Sequence, residues 1–312
     1  MKIEKIKLWE DEDNEASLTA YILDEFSRVR ITERPGIIIC PGGAYLQTSD
    51  REAEPVAIKF ASLGFNTFVL RYNTYFKNKE DGLEYIINNG SEKIDINKNT
   101  KYPQPLFDLA KAMLIVKENA KEWNIDVDNI SICGFSAGAH LTALLGVYWN
   151  SMLLKDKFKI KNEIFKPKTI ILCYPVIDYM VIKELNTKSK DKMSINLFKV
   201  SNEALFGVNT PSDELREALS IPNKITKNMP PTFIWHTSND ELVYAKNSLN
   251  LALALAEKNI DYELHIFEDG PHGMSLCNEV TANKNSLINS ECEIWFELAT
   301  KWLKKHQLEE LN

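Results

Sequence analysis

The segment GFSAG at residues 134–138 places Ser136 between two glycines in the pattern Gly-x-Ser-x-Gly. An apolar strand-like run, Ile130 to Cys133, comes before it, and a helix-like run from His140 to Tyr148 follows. A strand that enters a helix through such a tight turn leaves the serine hydroxyl exposed at the edge of a sheet. The motif therefore predicts a nucleophilic serine, whose hydroxyl attacks acyl carbon atoms once a base removes its proton.

A base and an acid for this serine follow it along the chain. His272 lies in the turn DGPHG, directly after a strand-like run, and from there its ring could reach Ser136. Asp240 ends the segment WHTSND after another apolar strand, so the order is serine, acid, histidine. Asn239 cannot carry the charge, and Glu241 is the nearest alternative acid. These positions predict a triad in which His272 is the base and Asp240 orients it.

The remaining histidines suit the role of base less well. His140 lies on the helix that follows the serine, so its side chain points along that helix. His236 ends an apolar strand, and His306 lies in the terminal helix. His265 alternates with apolar residues inside a strand, which indicates a structural role.

Small residues upstream could stabilise the negative charge that develops on the acyl oxygen. The loop PGGAY at residues 41–45 follows a strand-like run, and its small residues allow the backbone to approach a substrate carbonyl closely. The backbone N–H of Ala137, just after the nucleophile, is predicted to be a further donor. Tyr45 and Phe135 flank the donors and the nucleophile, which makes them candidate substrate-binding residues.

Strand-like and helix-like segments alternate along the chain. The strand-like runs are short and mostly apolar: Gly36–Cys40, Asn66–Leu70, Ile130–Cys133, Thr169–Cys173, Thr232–Trp235 and Tyr262–Phe267. The helix-like segments are Ser49–Gly64, Pro105–Trp123, Tyr244–Lys258 and Ile294–Lys305. Runs that are apolar on both faces suit strands buried on both sides. The alternation predicts an α/β fold, with a mostly parallel sheet, helices on both faces and a single domain over residues 1–312.

Two segments do not fit this alternation. Lys77–Tyr102 is polar, and Tyr179–Asn228 is a longer excursion with helix-like apolar positions. Excursions at the carboxyl ends of parallel strands usually wall a binding site. Both are therefore predicted to be insertions at the rim of the site, the second as a lid, while simple loop decoration is the alternative for the first. At the start of the first helix, Ser49 and Glu52 match a capping box.

The charge of the chain argues against nucleic acid as a partner. There are 44 acidic and 37 basic residues, a formal net charge of -7. A protein that binds nucleic-acid phosphates needs an excess of clustered lysines and arginines, and this sequence has an excess of acidic residues instead. The expected partner is a small molecule, with no metal or cofactor required. The oligomeric state is open, and a homodimer is one candidate.

The cysteines and the N-terminal residues indicate the cellular compartment of the protein. None of the five cysteines forms a CxxC pair, which argues against structural zinc and redox motifs and indicates reduced thiols in a cytoplasm. The N-terminal residues lack the basic-then-apolar pattern of a signal peptide. The longest apolar stretch, around Ala139 to Trp149, is far shorter than the roughly 20 residues that cross a bilayer. We expect a soluble cytoplasmic protein without a membrane partner.

Four segments together resemble a known family. They are IIICPGGAYLQTSDREAEPVAIKFASLGFNTFVLRYN, the elbow GFSAGAH, PPTFIWHTSNDELV and ELHIFEDGPHGMSL, and they cover most of the chain from Gly36 onward. The sequence resembles the bacterial esterase/lipase-like α/β hydrolases, which include acetyl-xylan and feruloyl esterase-like enzymes and are akin to the hormone-sensitive-lipase group. The lipase-like group carries His-Gly-Gly-Gly where this chain has PGGA at residues 41–44. The resemblance implies that Gly43, Ala44 and Ala137 donate to the oxyanion.

The same resemblance implies the α/β-hydrolase fold and a serine esterase that removes short acyl groups, acetyl especially, from sugars or xylo-oligosaccharides. It also implies that Ser136, Asp240 and His272 form the catalytic triad. Two other interpretations remain. One is a serine peptidase of the prolyl-oligopeptidase type, although 312 residues leave no room for a large propeller domain. The other is a binding module that has the fold without the activity.

Overall fold

The computed structural model describes residues 1–12, 14–25, 33–77 and 96–308. Its centre is an eight-stranded sheet in the order β1-β2-β4-β3-β5-β6-β7-β8. The strands are β1 Lys2–Lys7, β2 Ser17–Ile22, β3 Arg34–Cys40, β4 Asn66–Arg71, β5 Ile125–Phe135, β6 Ile170–Cys173, β7 Thr232–Thr237 and β8 Tyr262–Phe267. β1 and β2 pair antiparallel, as do β2 and β4, whereas β4, β3 and β5 to β8 are all parallel.

Helices cover both faces of the sheet. They are α1 Glu54–Ala61, α2 Gln104–Glu118, α3 Ala137–Tyr148, α4 Met152–Phe158, α5 Tyr179–Lys188, α6 Lys192–Phe206, α7 Asp213–Leu219, α8 Lys246–Glu257, α9 Ser290–Glu293 and α10 Trp295–Leu308. Successive residues of a strand face opposite sides. Ile37 and Ile39 of β3 pack with α1 and α10, while Ile38 and Cys40 pack with α2, α3 and α8.

This arrangement confirms the strand-like and helix-like segments expected from the sequence. The prediction of a capping box at Ser49 and Glu52 was wrong. Ser49 precedes a 3-10 turn, Asp50–Glu52, and its side chain makes no capping hydrogen bond. Glu52 instead turns inward to accept a hydrogen bond from the backbone N–H of Gly42 at 2.7 Å. The physical reason is that a buried partner across the fold competes successfully with the local backbone for this carboxylate.

The segment Tyr179–Asn228 contains α5, α6 and α7, and it connects β6 to β7. Of the segment Lys77–Tyr102, residues 78–95 lie outside the described residues. Its described end contacts α6, because Thr100 and the Tyr102 N–H donate to the carbonyls of Ala204 and Leu205. The end of the first segment therefore packs against the second segment. The single-domain assignment stays a prediction.

The cysteines and the apolar character of the helices were also compared with the expectations from the sequence. All five cysteines are unpaired and buried, as a small apolar side chain in a core would be. In the described part of the chain, no helix combines the length and apolar character needed to cross a bilayer. The cytoplasmic location stays a prediction.

Candidate active site

Ser136 lies in the turn between β5 and α3, at the carboxyl edge of the parallel strands. Its φ of 50° is in the left-handed region, which residues with a side chain rarely adopt. The flanking glycines are required by close packing. A Cβ at Gly134 would lie 2.4 Å from the carbonyl oxygen of Gly138, and one at Gly138 would lie 2.0 Å from that of Cys40. The turn thus holds the serine against β3 in a strained conformation that exposes its hydroxyl.

The structure brings Ser136, His272 and Asp240 together. His272 follows β8 and Asp240 follows β7, so both approach Ser136 from neighbouring strand ends. His272 Nε2 lies 2.8 Å from Ser136 Oγ, and His272 Nδ1 lies 2.6 Å from Asp240 Oδ2. Because an ionised carboxylate only accepts, Nδ1 carries the proton and Nε2 is free to accept the serine proton. This geometry can pass a proton from a serine hydroxyl to a histidine held by a carboxylate.

Asp240 is buried and surrounded by donors. Its Oδ1 accepts the backbone N–H groups of Leu242 and Val243, each at 2.9 Å. Burial by itself would raise the pKa of Asp240, but the charge of His272 and the hydrogen bonds from His236 and His272 outweigh it, and the pKa lies well below its ordinary value. Asp240 is therefore a carboxylate across the neutral range.

His272 has the complementary shift. Its side chain is only 12% exposed, and this burial disfavours the charged ring. The charge of Asp240, the hydrogen bond to it and the charge of Glu52 act the other way, and together they raise the pKa of His272 above its ordinary value. The ring is thus a stronger base than an isolated histidine.

Sequence reasoning missed the part that His236 has in the site. This fully buried residue lies four positions before Asp240, and its Nε2 is 2.7 Å from the Val243 carbonyl and 3.2 Å from Asp240 Oδ2. Both neighbours are acceptors, so Nε2 carries the proton, while Nδ1 accepts from the Ser248 hydroxyl at 2.8 Å. The only signal in the sequence was the short spacing between the two residues across a turn. That spacing is too common to have been decisive.

The loop after β3 supplies the expected small-residue donors beside the serine. Gly43 has a φ of 129°, and a Cβ there would lie 2.1 Å from the Gln47 carbonyl oxygen. In the described part of the chain, no protein acceptor pairs with the backbone N–H groups of Gly43 and Ala44. Ala137 is the first residue of α3, where the helix itself offers no acceptor for the N–H. These backbone groups are available to a negatively charged oxygen next to Ser136.

A cavity of about 230 Å³ opens at these groups. It is lined by Gly43, Ala44, Leu46, Gln47, Ser49, Glu52, Phe76, Ser136, Leu197, Leu242 and His272. A larger groove, of about 960 Å³, shares Leu242 and His272 with this cavity and continues along polar side chains. The site therefore has a small, largely apolar pocket on one side of the serine–histidine pair and a polar groove on the other.

The expectation that Tyr45 and Phe135 line the pocket was wrong. Both side chains are fully buried. The Tyr45 hydroxyl lies 2.7 Å from His140 Nδ1, and Phe135 packs against Tyr174 and Trp295. Being adjacent in sequence to a site residue does not direct a side chain into the site, because φ and ψ turn neighbouring side chains away from each other.

Other histidines are bound elsewhere in the fold. His140 is buried between Tyr45 and the Leu219 carbonyl, which lies 2.8 Å from Nε2. Burial lowers the pKa of His140 to about 4. His265 Nε2 pairs with Glu263 at 2.7 Å on β8. The ring of His140 and the ring of His265 bond to these other partners, whereas the Ser136 hydroxyl lies against His272, in agreement with the sequence interpretation.

Comparison with known proteins gives a family and a set of relatives. A family model described as BD-FAE matches residues 85–255. Endo-1,4-beta-xylanase B of Butyrivibrio fibrisolvens is 31% identical over 249 residues, which are 79% of this chain and 33% of that protein. Acetylxylan esterase of Xylanibacter ruminicola is 26% identical over 174 residues, 54% of this chain and 31% of that protein. The chain thus spans about a third of the length of these curated relatives.

A solved structure matches over nearly the full length of both chains. The acetyl ester-xyloside bifunctional hydrolase of Caldicellulosiruptor lactoaceticus is 32% identical, with a TM-score of 0.73, and the match covers 97% of this chain and 96% of that one. The likeness confirms the predicted α/β-hydrolase fold.

Proposed function

This chain belongs to the BD-FAE family of α/β-hydrolase esterases, and from that premise we propose that it is a serine carboxylic-ester hydrolase. Its proposed substrates are short acyl esters, acetyl esters above all, of sugars or xylo-oligosaccharides. The observation that carries the proposal is the hydrogen-bonded series Ser136, His272 and Asp240 at the mouth of the small cavity.

The proposed mechanism has two acyl-transfer steps. Ser136 Oγ attacks the ester carbonyl carbon while His272 Nε2 takes its proton, and Asp240 stabilises the imidazolium ion. Backbone N–H groups of Gly43, Ala44 and Ala137 hold the oxyanion of the tetrahedral intermediate. The imidazolium then gives its proton to the departing alcohol oxygen and leaves an acyl-serine. Water, activated by the same histidine, attacks the acyl-serine and releases the carboxylic acid.

The size and lining of the cavity support a short acyl group. Its volume of about 230 Å³ is below the roughly 300–1,000 Å³ of pockets that hold drug-sized ligands. Leu46, Phe76, Leu197 and Leu242 supply apolar walls. An acetyl or propionyl chain fits in this space next to the oxyanion donors.

The groove beyond His272 supports a hydroxyl-rich alcohol. The imidazolium must protonate the departing oxygen, so the alcohol lies on the histidine side of the ester bond. On that side the groove presents amide and carboxylate groups, among them Asn239, Asp269 and Asn289. Groups of this kind bind sugar hydroxyls by direct or water-mediated hydrogen bonds. The acetyl groups borne by xylo-oligosaccharides meet both requirements.

A substrate panel tests this proposal. We expect kcat/KM for p-nitrophenyl esters to be highest with acetate and to fall by about tenfold or more by octanoate, because an eight-carbon chain has to extend past the apolar walls of the small cavity. Acetylated xylo-oligosaccharides should be hydrolysed, and the Ser136→Ala variant provides the background rate. A preference for octanoate would contradict the acyl assignment. Faster cleavage of aminoacyl amides than of acetyl esters would favour the peptidase alternative.

The raised pKa of His272 predicts the acid limb of the pH profile. The ring acts as a base only when it is neutral, so activity should fall as the pH drops through its pKa. Because that pKa lies above 6.5, the acid midpoint of kcat/KM for p-nitrophenyl acetate should also lie above 6.5. The profile is measured between about pH 4 and 9 with this non-ionising substrate, and a midpoint below 6.5 would contradict the prediction.

A further inference from the structure

Glu52 is a buried carboxylate that the mechanism above does not use. Its side chain borders the cavity, and the residue is only 3% exposed. In the described residues, no lysine, arginine or histidine nitrogen forms an ion pair with it within 4 Å. Burial raises the pKa of Glu52, and hydrogen bonds from Tyr174 and Gly42, with the charges of His272 and Arg51, only partly oppose this shift. A carboxylate kept at such a cost to stability, beside the reacting groups, indicates a functional role.

Each oxygen of Glu52 binds a different part of the site. Oε2 accepts the Gly42 N–H at 2.7 Å, directly before the donors Gly43 and Ala44. Oε1 accepts the Tyr174 hydroxyl, also at 2.7 Å. Gly42 is required at its position, because a Cβ there would lie 2.8 Å from the Phe135 carbonyl oxygen and equally close to Glu52 Oε2. The carboxylate therefore holds the donor loop at a residue that is packed closely against the backbone beside Ser136.

Tyr174 carries the connection onward to the loop of His272. Its hydroxyl accepts the Ser275 N–H at 2.9 Å while donating to Glu52. Its ring contacts the His272 ring, with 5.1 Å between the centroids. Glu52 thus binds the donor loop with one oxygen and, through Tyr174, the histidine loop with the other.

Arg51 attaches the same turn to the histidine loop independently. Its guanidinium donates to the Gly273 carbonyl at 2.9 Å and also to the Thr281 carbonyl. In return, the Ser275 hydroxyl donates to the Arg51 carbonyl at 2.6 Å. The turn that contains Arg51 and Glu52 therefore sets the distance between the oxyanion donors and the catalytic base.

We propose that Glu52 is a positioning residue for ester hydrolysis, which fixes the donors of Gly43 and Ala44 relative to His272 and stabilises the protonated imidazole that forms during the reaction. This inference rests on the proposed function. The titratable and charged groups that interact with the imidazole or with this carboxylate are Asp240, Glu52, Arg51, Tyr174, Tyr72 and Cys173. Of these, Asp240 is the direct partner of the ring, and Glu52 is the second carboxylate whose charge raises the pKa of His272.

The test is the Glu52→Gln variant, which keeps the shape and removes the charge. With p-nitrophenyl acetate, kcat should fall by about tenfold with little change in KM, because the donors are displaced from the transition state by a fraction of an ångström. The acid midpoint of kcat/KM should move to lower pH by about half a unit or more, because His272 loses a neighbouring negative charge. A role in stability alone would not move this midpoint.

Glu54→Gln is the matched control. It removes one negative charge two positions further along, on the exposed first turn of α1. Its kcat and acid midpoint should equal those of the unmodified chain. If Glu52→Gln matches Glu54→Gln in both quantities, the inference is overturned. If the unmodified chain shows no hydrolysis that depends on Ser136, the proposed function fails instead.

Tyr174→Phe keeps the test decisive if Glu52→Gln does not fold. This variant retains the Tyr174 ring and the Glu52 side chain but removes the hydrogen bonds that join Glu52 and Ser275 through the hydroxyl. We expect kcat to fall about threefold or more. An unchanged kcat, in a variant whose thermal unfolding shows it to be folded, would overturn the inference.

Discussion

Replacing Ser136 with alanine is expected to lower kcat for p-nitrophenyl acetate by at least about 10⁴-fold while the chain stays folded. The hydroxyl 2.8 Å from His272 Nε2 is the proposed nucleophile, and without it no acyl-enzyme can form. Any remaining rate would come from water attacking a bound ester whose oxyanion is still stabilised by the backbone donors. Stability should change little, since alanine fits the space that serine occupies.

Two measurements distinguish loss of the nucleophile from loss of the fold. Thermal unfolding by circular dichroism reports the fold, and a fluorophosphonate probe reports the reactive serine. The matched control is Ser238→Ala, which removes an exposed hydroxyl that donates to the Glu268 carbonyl and should keep full activity and labelling. Ester hydrolysis by Ser136→Ala at the rate of the unmodified chain would refute the nucleophile assignment. Absence of labelling in the unmodified chain would favour the binding-module interpretation.

Asp240→Asn should cause a loss of similar size, about 10⁴-fold in kcat. Every neighbour of this carboxylate is a donor: two backbone N–H groups on Oδ1, and the rings of His236 and His272 on Oδ2. An asparagine amide can satisfy only one side, so its NH₂ group must face a donor. If it faces His272, Nδ1 becomes the acceptor and the proton moves to Nε2. The ring then has no lone pair for the serine proton.

The neighbouring acid gives a sharp comparison for this variant. Glu241 follows Asp240 directly, and in the sequence analysis it was the nearest alternative to Asp240 as the acid of the triad. Glu241→Gln should lose far less activity than Asp240→Asn, because the carboxylate that lies 2.6 Å from His272 Nδ1 belongs to Asp240. Asp261→Asn, an exposed aspartate before β8, controls for charge. A deep loss in Glu241→Gln with normal kcat in Asp240→Asn would reassign the acid.

The activity and the stability of the unmodified chain should depend on pH in different ways. The pKa of Asp240 is lower in the folded chain than its ordinary value, so its ionisation stabilises the fold above the unfolded pKa. This contribution is lost as the pH falls through the folded pKa. Loss of activity on the acid side, by contrast, follows the higher pKa of His272. The chain should therefore lose activity at a pH where it remains folded.

The central strands could be predicted because both their faces are buried. β3 to β7 show as apolar runs, whereas β1 has the sequence KIEKIK and is mostly exposed. As an edge strand with an exposed face, β1 lacks the continuous apolar signal on which the prediction depended. β2 is mostly buried between β1 and β4 and was missed because Ser17 and Thr19 interrupt its apolar pattern.

The sequence by itself determined the elements whose signals are local. Glycines at fixed spacing around Ser136 predicted a turn that only small residues can make, and strand ends predicted where Asp240 and His272 meet it. Only the tertiary structure decided which way side chains point and what they meet across the fold. It buried Tyr45 and Phe135 behind the site, and it directed Glu52 away from a capping position to Gly42 and Tyr174. Those contacts join residues distant in the chain, and no local period or spacing encodes them.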